Sequence, residues 1–239
     1  QAHVLGAGKR VTKYTTSILE NSVLGKWDKL KEELSKTQAD VEAEMVMLRD
    51  VDIANLVALG GWIRAFEIAN QYAPNVSLVF NQHAGMQPQM WEKVKETILY
   101  LKNKGLRIDG LGWQGHLRDN IVLALNQDKL NYLSSLIDWA HQNDLDFHVT
   151  EIDYRLVGTS PTSSQLNRQA NGYANIIKTL ISKRNNGVVT FNTWGVYDKN
   201  EVTDHEFKYI YDSNLNPKKA VDELKKALTN KSTSPNYLD

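Results

Sequence analysis

The 239 residues carry 28 Lys+Arg against 28 Asp+Glu, a formal net charge of zero that leaves no long-range field to gather nucleic acid or an anionic membrane surface, so neither is an expected partner. Cysteine is absent, which excludes disulfides and thiolate metal sites. A hydrophobic content of 41% suits a globular core, and no apolar run approaches the roughly 20 residues of a bilayer span.

The chain opens on Gln1 with neither methionine nor a signal-like segment, which suggests a mature form, a fragment or a trimmed form. Ala2–Leu5 reads as a strand, Lys26–Ser35 as a helix, and Val41–Leu48 as a strand or a continuation of helix. From about residue 60 short β-rich runs alternate with longer helical patterns, the mark of βα units and a parallel sheet. Trp62–Tyr72 has helical spacing, Pro74-Asn75 turns the chain, and Ser77–Asn81 is the next strand. Gln89–Lys104 is a second amphipathic helix with Gly105 suited to its C-cap, followed by a strand over Ile108–Trp113. The helix Lys129–Asn143 leads to the strand Leu145–Ile152, and the helix Ser163–Lys183 leads to the strand Val188–Trp194. Asn216-Pro217 opens a last helix that ends near Leu228.

No internal repeat or linker interrupts this pattern, so one domain is expected over residues 1–228, with a flexible tail over 229–239. Both uncertain upstream strands included, the count is six βα units, two short of an eight-stranded barrel.

In parallel α/β folds the active site lies at the C-terminal ends of the strands. Here those ends carry Asn81-Gln82-His83, Gln114-Gly115-His116, Glu151-Ile152-Asp153 and Trp194-Gly195. Amides and a carboxylate bond hydroxyl groups while an indole packs on a sugar's apolar face, so a neutral, hydroxyl-rich ligand is the economical expectation. The sequence has no pair of histidines and acids at metal-ligand spacing and no glycine-rich phosphate loop after a strand, so no cofactor is expected.

Four successive segments resemble the motifs of glycoside hydrolase family 10, the endo-1,4-β-xylanases. They are Gly112-Trp113-Gln114-Gly115-His116-Leu117, Val149-Thr150-Glu151-Ile152-Asp153, Phe191-Asn192-Thr193-Trp194-Gly195-Val196-Tyr197-Asp198 and Asn216-Pro217-Lys218. The resemblance covers about residues 60–228. It implies a TIM-type (β/α)8 barrel, incomplete or divergent at its N-terminal side. It also implies a secreted, retaining glycosidase acting on β-1,4-linked polysaccharide or xylo-oligosaccharide. By the same resemblance Glu151 is similar to the family's nucleophile, and His116 orients it. Gln114, Asn81 and Trp194 fall at substrate-binding positions.

Retaining glycosidases need a second carboxyl group about 5–5.5 Å from the first. The family's acid/base motif, Trp-Asp-Val-Val-Asn-Glu, best matches Ala39-Asp40-Val41-Glu42-Ala43-Glu44, which makes Glu44 the candidate acid. That segment departs from the family, because Ala39 replaces an aromatic residue and Ala43 replaces the Asn that bonds the sugar's 2-hydroxyl. Upstream, Ala7 and Gly8 stand where the third-strand motif has Trp and a sugar-binding His.

Plainer readings stand beside these. An isolated Glu151 fits a rim salt bridge, and Glu44 lies in a charged stretch that also suits a solvated helix face. His116 fits a core histidine satisfied by a backbone carbonyl, which is the preferred reading of His83 and His148. Trp27, Trp62, Trp91 and Trp139 fall in helical patterns and read as packing residues. Two alternatives to an enzyme remain: a non-catalytic or impaired carbohydrate-binding relative, and a truncated structural barrel whose open edge self-associates.

Overall fold

The computed structural model of the chain describes residues 8–33, 36, 51–83, 85–119, 125–158, 160–199 and 207–229. The expected strands Ala2–Leu5 and Val41–Leu48 lie outside these residues, as does Glu44. The chain divides into two compact units, residues 1–65 and 66–239.

In the first unit helix α1 spans Gly8–Val23, where no element was expected, and residues 27–33 (α2) are helical where Lys26–Ser35 was expected to be. Apolar Val11, Tyr14 and Ile18 recur at helical intervals in α1. Gly25, at φ 64°, closes it in a Schellman motif, with Lys26 N–H donating to Asn21 O and Gly25 N–H to Ser22 O. Trp27 is 68% exposed, so it is not the packing residue its helical pattern suggests. Helix α3 (Val51–Tyr72) begins in this unit, 11 residues before the expected Trp62 start.

Among the described residues the second unit holds five strands and four further helices in the order β1 (Val79–Gln82), α4 (Pro88–Asn103), β2 (Gly110–Trp113), β3 (His116–Arg118), α5 (Gln127–Gln142), β4 (Asp146–Arg155), α6 (Ser163–Lys183), β5 (Val189–Thr193) and α7 (Lys219–Thr229). Every strand pairing is parallel: β1 with β2, β2 and β3 with β4, and β4 with β5. Helical crossovers are what parallel neighbours require. Strands β2 and β3 are one line of chain broken at Gln114-Gly115, so the described residues contain four successive βα-type units.

Local chemistry sets the helix ends. Pro88 sits in the first turn of α4, and Gly105 at φ 80° closes that helix with Leu106 N–H donating to Leu101 O. Asn126 caps α5 by accepting from Lys129 N–H, while Thr162 and Gln165 form a reciprocal capping box on α6.

The helices bury one face of the sheet. Leu111, Trp113, Phe147, Val149, Ile152 and Tyr154 form its buried side, joined by Trp91, Ile98 and Leu101 of α4, Leu133, Leu136 and Ile137 of α5, and Tyr173 of α6. Strand β2 turns only Gly110 and Gly112 to the opposite face. A Cβ on Gly112 would lie 2.6 Å from Asn81 Oδ1, so glycine is what lets that amide cross the strand.

Two ion pairs hold the segments that flank the strand ends. Asp198, 4% exposed, accepts from the backbone N–H groups of Lys208 and Tyr209 through Oδ1 and pairs with Lys218 Nζ at 2.8 Å through Oδ2. Arg168 donates to both oxygens of Asp119 at 2.8 Å, and these bonds hold the Asp119 carboxyl below its ordinary pKa. A lowered folded pKa stabilises the fold above the unfolded value of 3.8 and loses that contribution as pH falls through the folded value. The melting-temperature difference between wild type and Asp119→Asn is therefore expected at neutral pH and should close on acidification below 3.8.

Candidate active site

Strand β4 has one residue more than either neighbour across the site. Val149 and Ile152 pair with Phe191 and Thr193 of β5, while Val149 and Asp153 pair with Trp113 and His116. The surplus is a β-bulge at Thr150-Glu151, a device that re-aims side chains. Alternation is suspended there, so Thr150 and Glu151 both reach Asn81. Glu151 thereby avoids the helix-covered side that a regular strand would have given it.

Both oxygens of Glu151 are held. Asn81 Nδ2 donates to Oε1 at 3.2 Å, and His116 Nε2 lies 3.2 Å from Oε2. Thr150 Oγ1 donates to Asn81 Oδ1 at 2.9 Å, which fixes the amide so that its NH2 meets the carboxylate. The Glu151 N–H donates to Gln114 O at 3.1 Å. Gln114 thus contributes through its backbone, at the break between β2 and β3.

His116 sits between two carboxylates, its Nδ1 lying 3.3 Å from Asp153 Oδ1. Each ring nitrogen of His116 thus faces a carboxylate oxygen, and a neutral imidazole has one N–H to donate between them. Burial raises the Asp153 pKa, opposed by His116 and by the charges of Lys208 and Arg155. Trp194, 57% exposed, stands edge-on to His116 with ring centroids 6.0 Å apart. Its backbone N–H donates to Ile152 O and ties the main chain after β5 to β4.

The structure therefore brings together four of the residues singled out in the sequence, Asn81, His116, Glu151 and Trp194, with Gln114 beside them. Glu44 lies outside the described residues. Two expected core histidines differ from that reading. His83 is exposed, and half-buried His148 bonds Thr190 Oγ1 at 2.9 Å instead of a backbone carbonyl. Trp91 is fully buried as a packing residue, and Trp139 lies under Lys95 Nζ at 5.6 Å. Sequence reasoning passed over Asp153 and Thr150 as site residues. Asp153 is two residues beyond Glu151, a spacing that puts both on one strand face.

A parallel βα sheet with a hydrogen-bonded carboxylate, imidazole and indole at its C-terminal strand ends defines a TIM-barrel-type chain with its site at the usual rim. The chain belongs to glycosyl hydrolase family 10, whose model matches residues 7–227. A β-1,4-xylanase of Dictyoglomus thermophilum is 30% identical over 184 residues, covering 68% of this chain and 49% of its own length. Endo-1,4-β-xylanase A of Caldicellulosiruptor saccharolyticus is 27% identical over 167 residues, covering 66% and 48%. Xylanase 10B from Thermotoga petrophila, solved in complex with xylobiose, superposes with a TM-score of 0.62 at 23% identity, covering 71% of this chain and 51% of that one. The fold class is thus the (β/α)8 barrel, incomplete or divergent on its N-terminal side. The chain spans about half the length of the relatives it matches.

Proposed function

We propose that the chain is a retaining glycosidase of endo-1,4-β-xylanase type, with Glu151 as nucleophile. The observation that carries this reading is the two-sided grip on the Glu151 carboxylate by Asn81 and His116 at the strand ends. Family membership and the xylanase relatives support the substrate class, β-1,4-xylan or xylo-oligosaccharide.

In the first step a Glu151 oxygen attacks the anomeric carbon while a second carboxylic acid protonates the departing glycosidic oxygen. The C–O bond to the leaving sugar breaks as the glycosyl–Glu151 ester forms. Water, deprotonated by that second carboxylate, then displaces Glu151 and restores both groups. Asn81 and His116 hold the attacking oxygens in line, and Asp153 fixes the imidazole, a positioning role. Trp194 offers an apolar face to the sugar ring. Glu44 is our assignment for the second carboxyl group, and secretion follows from a polymeric substrate.

One sequence feature favours a second reading, a carbohydrate-binding relative without turnover. Ala43 replaces the amide that would bond the 2-hydroxyl in the transition state. Two substrates separate these readings. Glu44→Ala is expected to slow xylan hydrolysis by roughly 10²–10⁴-fold while sparing aryl xylosides whose phenol leaves without a proton. Equal loss on both substrates would remove Glu44 from the acid role. Xylo-oligosaccharide quenching of Trp194 fluorescence without release of reducing ends would establish the binding relative.

A further inference from the structure

Strand β5 pairs with β4 on one side, and no strand among the described residues pairs with it on the other. In a parallel ladder alternate residues turn their backbone groups to opposite sides. Phe147 N–H donates to Val188 O, and Trp194 N–H donates to Ile152 O. Val188, Thr190, Asn192 and Trp194 therefore face β4 through their backbone, while the N–H and C=O groups of Val189, Phe191 and Thr193 point away from it. These outward groups have no hydrogen-bond partner among the described residues.

Exposed edges of this kind normally carry charged side chains, prolines or bulges that block pairing with another chain. Between Arg184 and Asp198 this chain has neither a charge nor a proline, and the bulge beside β5 lies in β4. Two large apolar side chains stand exposed at the ends of the strand, Val188 at 51% and Trp194 at 57%.

The edge is also complementary to itself. When a second β5 lies antiparallel to the first with Phe191 on the two-fold axis, Phe191 faces Phe191 of the other copy and Val189 faces Thr193. These are the outward-facing residues, so each pair is of the hydrogen-bonded kind, and every outward N–H of one copy meets a C=O of the other. The same register sets Val188 opposite Trp194, an aromatic and β-branched pair of the sort that stabilises sheets, and symmetry makes it twice. Thr190 then faces Asn192, so no like charges meet across the edge. The formal net charge of zero removes repulsion between whole copies as well.

We infer that the outer edge of β5 is a homodimer interface, in which two copies of this chain join their sheets antiparallel about Phe191. An isologous contact needs only one self-complementary patch, which this strand supplies. A strand edge is smaller than a standard interface, so the dissociation constant is expected on the order of 10–100 µM.

The test is sedimentation velocity of the 239-residue chain over a concentration series spanning that range, with two variants that leave the β4 ladder intact. Val188→Glu puts a charge opposite the indole. Val189→Pro removes an outward N–H, a position where proline is tolerated because the group is not used within the sheet. Each change acts twice across the axis and should weaken dimerisation roughly tenfold or more, with thermal melts confirming the fold. Register is read by cross-linking, since the chain has no cysteine of its own. The proposed pairing puts Val188 and Trp194 of opposite copies about 4.5 Å apart between Cα atoms, within disulfide reach. Mixing Val188→Cys with Trp194→Cys under mild oxidation should give a covalent dimer, and neither variant alone should. A wild type that stays monomeric throughout the series would overturn the inference. So would a dimer that persists in both Val188→Glu and Val189→Pro, or one that cross-links as readily in a single cysteine variant as in the mixture. None of these readouts depends on glycosidase turnover, so failure here leaves the Glu151 reading standing.

Discussion

Glu151→Gln is expected to abolish xylan cleavage, lowering kcat on the order of 10⁴-fold or more, the scale seen when a covalent nucleophile is removed. The substitution nearly preserves shape, and the amide oxygen can still accept from Asn81 Nδ2, which lies 3.2 Å from Oε1 in the wild type. What is lost is the charged oxygen that forms the ester. Binding of xylo-oligosaccharide should therefore survive while the chemical step fails. Reducing-end release and calorimetry on the same protein measure the two separately. A complementary readout is trapping of the ester with a 2-fluoro sugar bearing a good leaving group, and the mass label should map to the peptide containing Glu151. Undiminished turnover in Glu151→Gln, or a label elsewhere, would end the assignment.

The largest expected effect on stability is at Trp113. Its side chain, 1% exposed, anchors β2 to the helix layer, and its strand pairs with Gln82 on one side and Val149 on the other. Truncating a buried Trp to Ala removes its transfer energy and leaves a cavity, together worth about 3–5 kcal/mol. Against a total stability of about 5–15 kcal/mol that is a large share. Trp113→Ala should lower Tm by roughly 6–20 °C, and Trp113→Phe by much less. Activity should suffer at temperatures where the fold persists. The Trp113 carbonyl lies 3.3 Å from the Thr150 hydroxyl that sets the Asn81 amide, so a shift of β2 loosens the grip on Glu151. A Tm within 2 °C of wild type would show that Trp113 does not anchor the sheet, since about 2–4 °C accompanies each kcal/mol at this size.

The Asp198–Lys218 pair shows how a residue's chemistry and its position separate. Both residues lie in family-like motifs, yet the side chains are 5% and 9% exposed and meet each other and the backbone of the 208–209 segment. Burial lowers the Lys218 pKa, opposed by its bond to Asp198. The pair fixes that segment beside the strand ends, so its contribution to ligand binding is indirect.

Local rules made much of the second unit legible in the sequence. The α6 boundaries Ser163 and Lys183, the Gly105 stop and the strands near Val79, Gly110, Asp146 and Val189 follow from hydrophobic period, capping chemistry and turn residues, all of which act over a few positions. The strand-end polar residues were legible too, because parallel topology fixes which ends form the rim. Helix α1 was missed because its short, Thr-rich pattern competes with β propensity and its stop at Gly25 lies 17 residues downstream of its start.

The sequence by itself determined the alternation of strands and helices and the identity of the acid, imidazole and indole at the strand ends, since each depends on neighbours along the chain. Only the tertiary structure decided that a bulge turns Glu151 toward Asn81, that Asp153 stands behind His116, and that the backbone groups of Val189, Phe191 and Thr193 point away from β4. The reason is geometric. Register and bulges are set by pairing between strands far apart in sequence, and a single extra residue in β4 reverses which side chains meet.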